Sequence, residues 1–240
     1  MDPRLAEMRE AWHAKASLRA LYADYYRRIG ETLAAGRTLE VGAGFGNLKH
    51  FDPATISIDV LAAPGLDAMA DAQRLPFAAG SFANIVMVDV LHHIERPLDF
   101  FHEAARVLRP GGRLALLEPA ITPISWAFYH FLHPEPVDCG ADPMTAEAPD
   151  PDRDAFDANQ AIPTLLFGRC GARFRAAFPE LAIVSQTRLS LFAYPLSGGY
   201  RQWSLIPRPL IRPVLACEDA LLPILGPAMA FRMLVVLERQ

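Results

Sequence analysis

The chain has 240 residues, 52% of them hydrophobic, and a net charge of −4 at pH 7. That length suits a single α/β domain with a lid and a core that needs neither disulfides nor metals. The acidic balance argues against a general nucleic-acid footprint. Cys139, Cys170 and Cys217 are odd in number and form no C-x-x-C pair. This predicts free thiols in a reducing cytoplasm rather than a disulfide framework or a zinc site. The most apolar long stretch, 220–237, is broken by Pro223, Gly226, Pro227 and Arg232, so no membrane span is expected. The sequence opens on a charged amphipathic stretch, which predicts no export leader.

Residues 4–34 read as helix, unbroken or broken once. Trp12, Leu18, Leu21, Tyr22, Tyr25, Tyr26, Ile29 and Leu33 recur at three- and four-residue steps. The stripe suits core packing, with the tyrosines as further candidates for the mouth of a site. Next comes a strand over 38–42 that runs into Gly42, Gly44 and Gly46, at every second position. Glycine lets such a loop take positive φ and bring its backbone against a ligand. Asn47 stands where a dinucleotide-binding G-x-G-x-x-G loop needs its third glycine. Glu40, two residues before the first glycine, suits a ligand with a cationic end better than a pyrophosphate.

A second strand over 55–60 ends near Asp59, 17 residues after Gly42. That is close to the spacing of about 20 at which an acid reaches a ribose hydroxyl. Further strands are expected at 66–70, 83–89 and 112–118, with a helix at 97–108 that has Pro97 in its first turn. Pro110, Gly111 and Gly112 make the turn into the last of these strands. Only 61–66 separate the second and third strands, so the crossing helix there must be absent or reduced to a turn. Helix 164–178, strand 181–191 and a closing strand at 232–238 complete the pattern.

In order and spacing, the 38–47 loop, Asp59, the Ala-Asp-Ala-Gln-Arg-Leu-Pro-Phe block at 70–77, the 80–93 strand with His92 and His93, and the 106–118 block resemble the class I S-adenosylmethionine-dependent methyltransferases of small molecules. The resemblance covers residues 36–119. It implies a Rossmann-like, doubly wound, mostly parallel seven-stranded α/β sheet with an antiparallel last strand and helical lid insertions. It also implies S-adenosylmethionine as cofactor. Glu40 would face the methionyl ammonium, with Gly42, Ala43, Gly44 and Gly46 along the backbone path. Asp59 would hold the ribose and Asp71 the adenine amine, with the Ala72 backbone nearby. The Asp89 backbone would meet the methionyl group.

The whole chain then reads as one domain. Residues 1–35 form a helical lid, 36–119 the cofactor core, and 120–160 with 192–229 substrate-side insertions that leave the carboxyl ends of strands, where open α/β sheets bind ligands. The first insertion begins apolar and turns acidic and proline-rich. The second mixes Arg201, Arg208 and Arg212 with Trp203 and aliphatics, which suits a helical cap, an apolar acceptor tunnel or a peripheral membrane contact. Displacement from a sulfonium needs no metal, and none is expected. His93, His130 and His133 are candidate bases for a hydroxyl acceptor. Ordering a turn is the competing role for His92 and His93, and a wet loop for the other two.

The asparagine-proline-proline-aromatic block of many amine methylators is absent, and Asp89-Val-Leu-His stands in its place. With the acidic charge this argues against a nucleic-acid partner. A small, hydrophobic or lipid-linked acceptor methylated at oxygen is the expectation. A catalytically silent S-adenosylmethionine-binding partner protein and an NAD-dependent oxidoreductase are the alternatives; Asn47 and the Asp71 block count against the second. The sequence sets no oligomeric state.

Overall fold

The structure, a computed structural model, describes residues 1–145 and 148–240. Its strands are β1 (Thr38–Val41), β2 (Ile56–Asp59), β3 (Ala68–Met69), β4 (Phe82–Val88), β5 (Leu108–Pro119), β6 (Leu181–Leu189) and β7 (Arg232–Arg239). They form one seven-stranded sheet in the order β3-β2-β1-β4-β5-β7-β6. β1 to β5 run parallel, and β7 is antiparallel to both of its neighbours. The fold class expected from the sequence is the one observed.

Side chains alternate across the sheet with a period of two, and each face has its own core. Ile85 and Met87 of β4, Leu114 and Leu116 of β5, and Val235 and Leu237 of β7 pack with Phe100, Phe101 and Ala104 of helix α3 (Pro97–Val107). Val86, Ala115, Leu117, Leu234 and Val236 face the other way, onto Leu18, Leu21, Tyr22, Tyr25 and Ile29 of helix α2 (Ala16–Gly30). Burial on both faces is why these strands read as near-continuous apolar runs.

Several expected elements differ in detail. The N-terminal helix is two helices, α1 (Pro3–Ala14) and α2, because Lys15 between them is extended. Its ammonium is drawn to three carbonyls of the second insertion, those of Ser197 at 2.7 Å, Gly199 at 2.5 Å and Arg201 at 2.7 Å. The helix after the glycine loop is a single 3-10 turn over 47–50, and no helix separates β2 from β3. β3 keeps only two residues, both exposed. β5 starts at Leu108, ahead of the Pro-Gly-Gly turn, and its pairing with β4 shifts there.

The expected helix over 164–178 is α5 (Ile162–Phe167) and α6 (Gly171–Ala177), because Gly168 leaves the helical conformation at φ −107°, ψ −101°. The insertions add α4 (Pro123–Leu132), α7 (Ala193–Ser197) and α8 (Ile211–Met229). A reciprocal capping box between Thr122 and Ser125 starts α4, and α4 packs against α8. Among the described residues, no helix is long and apolar enough to cross a membrane.

Candidate active site

A cavity of about 360 Å³ opens at the carboxyl ends of β1, β2 and β4. The glycine loop forms its floor. Gly42 takes φ +69°, and a Cβ there would collide with the Val90 side chain, so no other residue lets the loop lie this close to the end of β4. Gly44 takes φ +59° and has nothing within 4 Å of where its Cβ would point, which leaves room for a ligand on the cavity wall. Asp59 joins the end of β2 to this loop, accepting from the Gly44 N–H at 2.8 Å and the Leu61 N–H at 2.9 Å. Each carboxylate oxygen takes one of these bonds, so both keep acceptor capacity.

Glu40 is buried at the base of the loop. It accepts from Ser57 Oγ at 2.7 Å and the Leu48 N–H at 3.4 Å. Burial pushes its carboxyl up to about 7, against those two hydrogen bonds. The buried Asn47 Oδ1, also on the cavity wall, has no partner in the protein. Asp71 is exposed at the rim and holds the Gln73 N–H at 2.8 Å, with Ala72 buried beside it.

Asp89 ends β4 in the left-handed region, φ +60°. Its carboxylate is gripped by both terminal nitrogens of Arg232 and by the Tyr22 hydroxyl at 2.8 Å. Arg232 itself lies 4.0 Å over the Tyr194 ring.

Leu5, Met8, Tyr22 and Tyr26 from the N-terminal helices, Tyr200 and Phe156 complete the wall. The strap over 150–156 is tied down at three points. Arg4 meets the Asp154 carboxylate at 2.8 and 3.1 Å and lies 4.0 Å over the Phe156 ring. Arg153 donates to the His93 carbonyl at 3.0 Å, and the Asp150 N–H donates to Glu95 at 2.6 Å.

Of the residues singled out from sequence, Glu40, Gly42, Ala43, Gly44, Asp59, Asp71, Ala72, Asp89 and His93 line this one cavity. Gly46 does not; it packs against the Gly65 carbonyl. His130 and His133 are not among the residues that line it. His130 belongs to α4 and His133 caps its end, with its Nδ1 4.0 Å from Glu135. His130 is exposed and stacked on Trp126, and His133 packs on the Phe128 and Tyr129 rings.

The His92 Nδ1 meets Glu118 Oε2 at 2.7 Å, and Glu118 Oε1 takes the N–H groups of Val90 and Leu91 at 3.0 and 2.8 Å. This is the turn-ordering role. Burial alone would push His92 down, but its contacts with Glu118 and Glu135 hold it up at about 9. His93 goes the other way. Burial and the neighbouring His92 charge bring it down to about 4, so at neutral pH it presents a neutral ring to the cavity.

Sequence reasoning missed Arg232, Tyr200, Glu135 and the strap. Arg232 alone left a trace, as the one charge in the apolar run 228–237.

The strand order, the glycine loop and three carboxylates facing one cavity are the features of a class I methyltransferase. The cofactor of that class, S-adenosylmethionine, fits the residues present. There is a buried acid for its ammonium, a Cβ-free wall at Gly44, free acceptor capacity on Asp59 and an orphaned Asn47 oxygen. Residues 50–116 match the family described as methyltransferase domain.

Two curated relatives align over short segments. The 27-O-demethylrifamycin SV methyltransferase of Amycolatopsis mediterranei is 44% identical over 54 residues, 22% of this chain and 20% of that protein. The ubiquinone/menaquinone biosynthesis C-methyltransferase UbiE of Roseobacter denitrificans is 46% identical over 48 residues, 20% of this chain and 19% of that protein. The chain thus spans about a fifth of the length of the curated relatives it matches.

Among solved structures, the geranyl diphosphate C-methyltransferase of Streptomyces coelicolor, in complex with Mg2+, geranyl diphosphate and S-adenosyl-L-homocysteine, shares the fold. Its TM-score is 0.53 at 12% identity, over 93% of this chain and 80% of that one. The chain thus has a Rossmann-like fold in common with this methyltransferase, and its segment 50–116 is similar to the methyltransferase-domain family.

Proposed function

We propose that the protein is an S-adenosylmethionine-dependent methyltransferase acting at an oxygen of a small, hydrophobic or lipid-linked acceptor. The observation that carries this reading is the convergence of Glu40, the Gly42–Gly44 loop, Asp59 and Asp71 on one cavity with an aromatic and apolar roof. When bound, the cofactor supplies a methyl group already activated on a sulfonium. The protein positions and desolvates. Glu40 pairs with the cofactor ammonium, Asp59 accepts from the ribose hydroxyls and Asp71 from the adenine amine. Leu5, Met8, Tyr22 and Phe156 exclude water above them. His93, neutral at the wall, accepts a hydrogen bond from the acceptor hydroxyl. The relatives named for a rifamycin and for ubiquinone and menaquinone support a small acceptor, and the first of them supports oxygen.

An exposed apolar surface supports the lipid side of the reading. Trp126, Phe131 and Leu132 of α4 adjoin Arg201, whose guanidinium donates to the Leu132 carbonyl at 2.9 Å. Trp203, Leu205 and Leu210 follow, all exposed. Residues 191–217 hold three arginines and no acid, within a chain of net charge −4. Arginine and tryptophan beside exposed aliphatics suit an anionic lipid surface, and Tyr200 of the same segment reaches the cavity wall.

The test is label transfer from methyl-labelled S-adenosylmethionine to an extract of the native cells, split into organic and aqueous fractions. Label in the organic fraction is expected, as is sedimentation with anionic but not neutral vesicles. Label in the aqueous fraction alone would overturn the hydrophobic acceptor. Label in neither, with S-adenosylhomocysteine still bound, would favour the silent partner protein. Stabilisation by NAD instead of S-adenosylhomocysteine would favour the oxidoreductase.

A further inference from the structure

Beside the cofactor cavity lies a cluster that cofactor binding does not use. His92 and His93 end the turn after β4, and Glu135 reaches them from the segment after α4. One ligand-capable atom from each lies within 4.8 Å of the other two. Both imidazoles have Nδ1 engaged, His92 on the Glu118 carboxylate at 2.7 Å and His93 on the Asp157 carbonyl at 3.3 Å. Acceptors at both Nδ1 positions keep a proton there, so Nε2 is the atom each ring offers to an ion, which on His92 would take the place of the second proton; metal-binding histidines are oriented in this way. Glu118 is fully buried and fixed by two backbone N–H groups, so the His92 ring has one orientation.

Distance and hydrogen bonding add two further indications. His92 Nε2 and Glu135 Oε2 are 3.5 Å apart, long for a hydrogen bond. Two ligands each about 2.1 Å from one tetrahedral ion stand about 3.4 Å apart. Gln160, 2% exposed, binds Glu135 through its amide nitrogen, and its Oε1 has no partner. A buried amide oxygen without a partner, on a side chain bonded to Glu135, suits a water held beside an ion. His93 and Glu135 are only partly buried, and a small rotation of either closes the widest gap.

We propose that His92, His93 and Glu135 form a binding site for one divalent transition-metal ion at the edge of the cavity. Two imidazoles and one carboxylate suit zinc, iron(II) or cobalt(II) rather than magnesium or calcium. The charges balance, because the ion faces two carboxylates, Glu135 directly and Glu118 through His92. Three protein ligands leave coordination positions free, and His93 belongs to the cavity wall, so those positions face the space beside the cofactor. On the methyltransferase reading above, His93 then acts on the acceptor through the ion in place of a direct hydrogen bond: an oxygen of the acceptor takes one of the free positions, and acceptors with two adjacent oxygens, such as a hydroxyl beside a carbonyl, bind best.

The test uses the full chain, dialysed against a chelator and titrated with Co2+ by visible absorption and calorimetry. S-adenosylhomocysteine is titrated in parallel. One Co2+ per chain is expected, with ligand-field bands of a four- or five-coordinate site. Glu135→Gln should weaken Co2+ at least tenfold and keep S-adenosylhomocysteine binding. His93→Gln should weaken Co2+ to a similar degree and carries the comparison if Glu135→Gln fails to fold. No Co2+ bound by the wild-type chain, or equal affinity in both variants, overturns the site. A wild-type chain that binds S-adenosylhomocysteine but no Co2+ sinks this proposal alone. Failure of S-adenosylhomocysteine itself sinks the methyltransferase reading and leaves the metal result to stand separately.

Discussion

Between residues 38 and 119 the chain holds its site with backbone amides and contacts between neighbouring strand ends. Asp59 grips the Gly44 and Leu61 N–H groups, Glu40 those of Leu48 and Ser57 Oγ, and Glu118 those of Val90 and Leu91. The lid is held by single side chains that cross long stretches of sequence. Lys15 reaches three carbonyls at 197–201, Arg4 reaches Asp154, and Tyr22 and Tyr194 meet the Asp89–Arg232 pair at the ends of β4 and β7. Glu218 of α8 caps the N–H groups of Leu191 and Ala193 at 2.7 and 2.5 Å. The core therefore tolerates changes that keep backbone geometry, and the lid depends on particular charges.

The largest effect should come from Arg232→Ala. It strips the buried Arg232 from a half-buried Asp89 and leaves that carboxylate facing Tyr22 with no counter-charge. Removing one partner of such a pair costs about 3–5 kcal/mol, read as a lower denaturation midpoint at unchanged m. A loss below 1 kcal/mol would mean that this pair does not anchor Tyr22 and Tyr194 of the lid to the sheet.

Gly42→Ala comes next. A strained, colliding residue at φ +69° should cost about 1–3 kcal/mol and weaken S-adenosylhomocysteine as the loop shifts. Full affinity in this variant would separate the loop geometry from binding.

The smallest effect is pH dependence through Glu40, whose carboxyl sits at about 7 in the folded protein. Because that value is raised, the group favours folding below its unfolded value and loses this contribution as pH rises through 7. The stability of the free protein should therefore fall from pH 5 to 8. Affinity for a ligand ammonium should rise over the same interval, by roughly tenfold from pH 6 to 8 for a group of this pKa. Lys49 and Asp59 act on Glu40 from the loop and β2, and Tyr26 faces it from α2, so Glu40→Gln is the control that should flatten the profile.

The same contrast governs what was legible in the sequence. Glycine spacing, strand-end acids and apolar runs are local patterns, so most strands could be placed directly, and the family resemblance they carry implied the seven-stranded sheet and pointed to nine residues that line the cavity. The lid could not. Nothing near Lys15 announces carbonyls 182 residues away, and nothing in the 150–156 strap announces Arg4. His130 and His133 were attractive because they follow a strand end, but His130 stacks on Trp126 of α4 and His133 packs on Phe128 and Tyr129. The split at Gly168 and the 3-10 turn at 47–50 are local backbone choices that periodicity does not resolve.

The most direct measurement is a calorimetric titration of S-adenosylhomocysteine into the wild-type chain and Asp59→Ala, with NAD as the control ligand. The account predicts one site per chain in the wild type, at least tenfold weaker binding in an Asp59→Ala chain that still folds cooperatively, and no heat from NAD. Equal affinity in the two chains, or binding of NAD in place of S-adenosylhomocysteine, would contradict it.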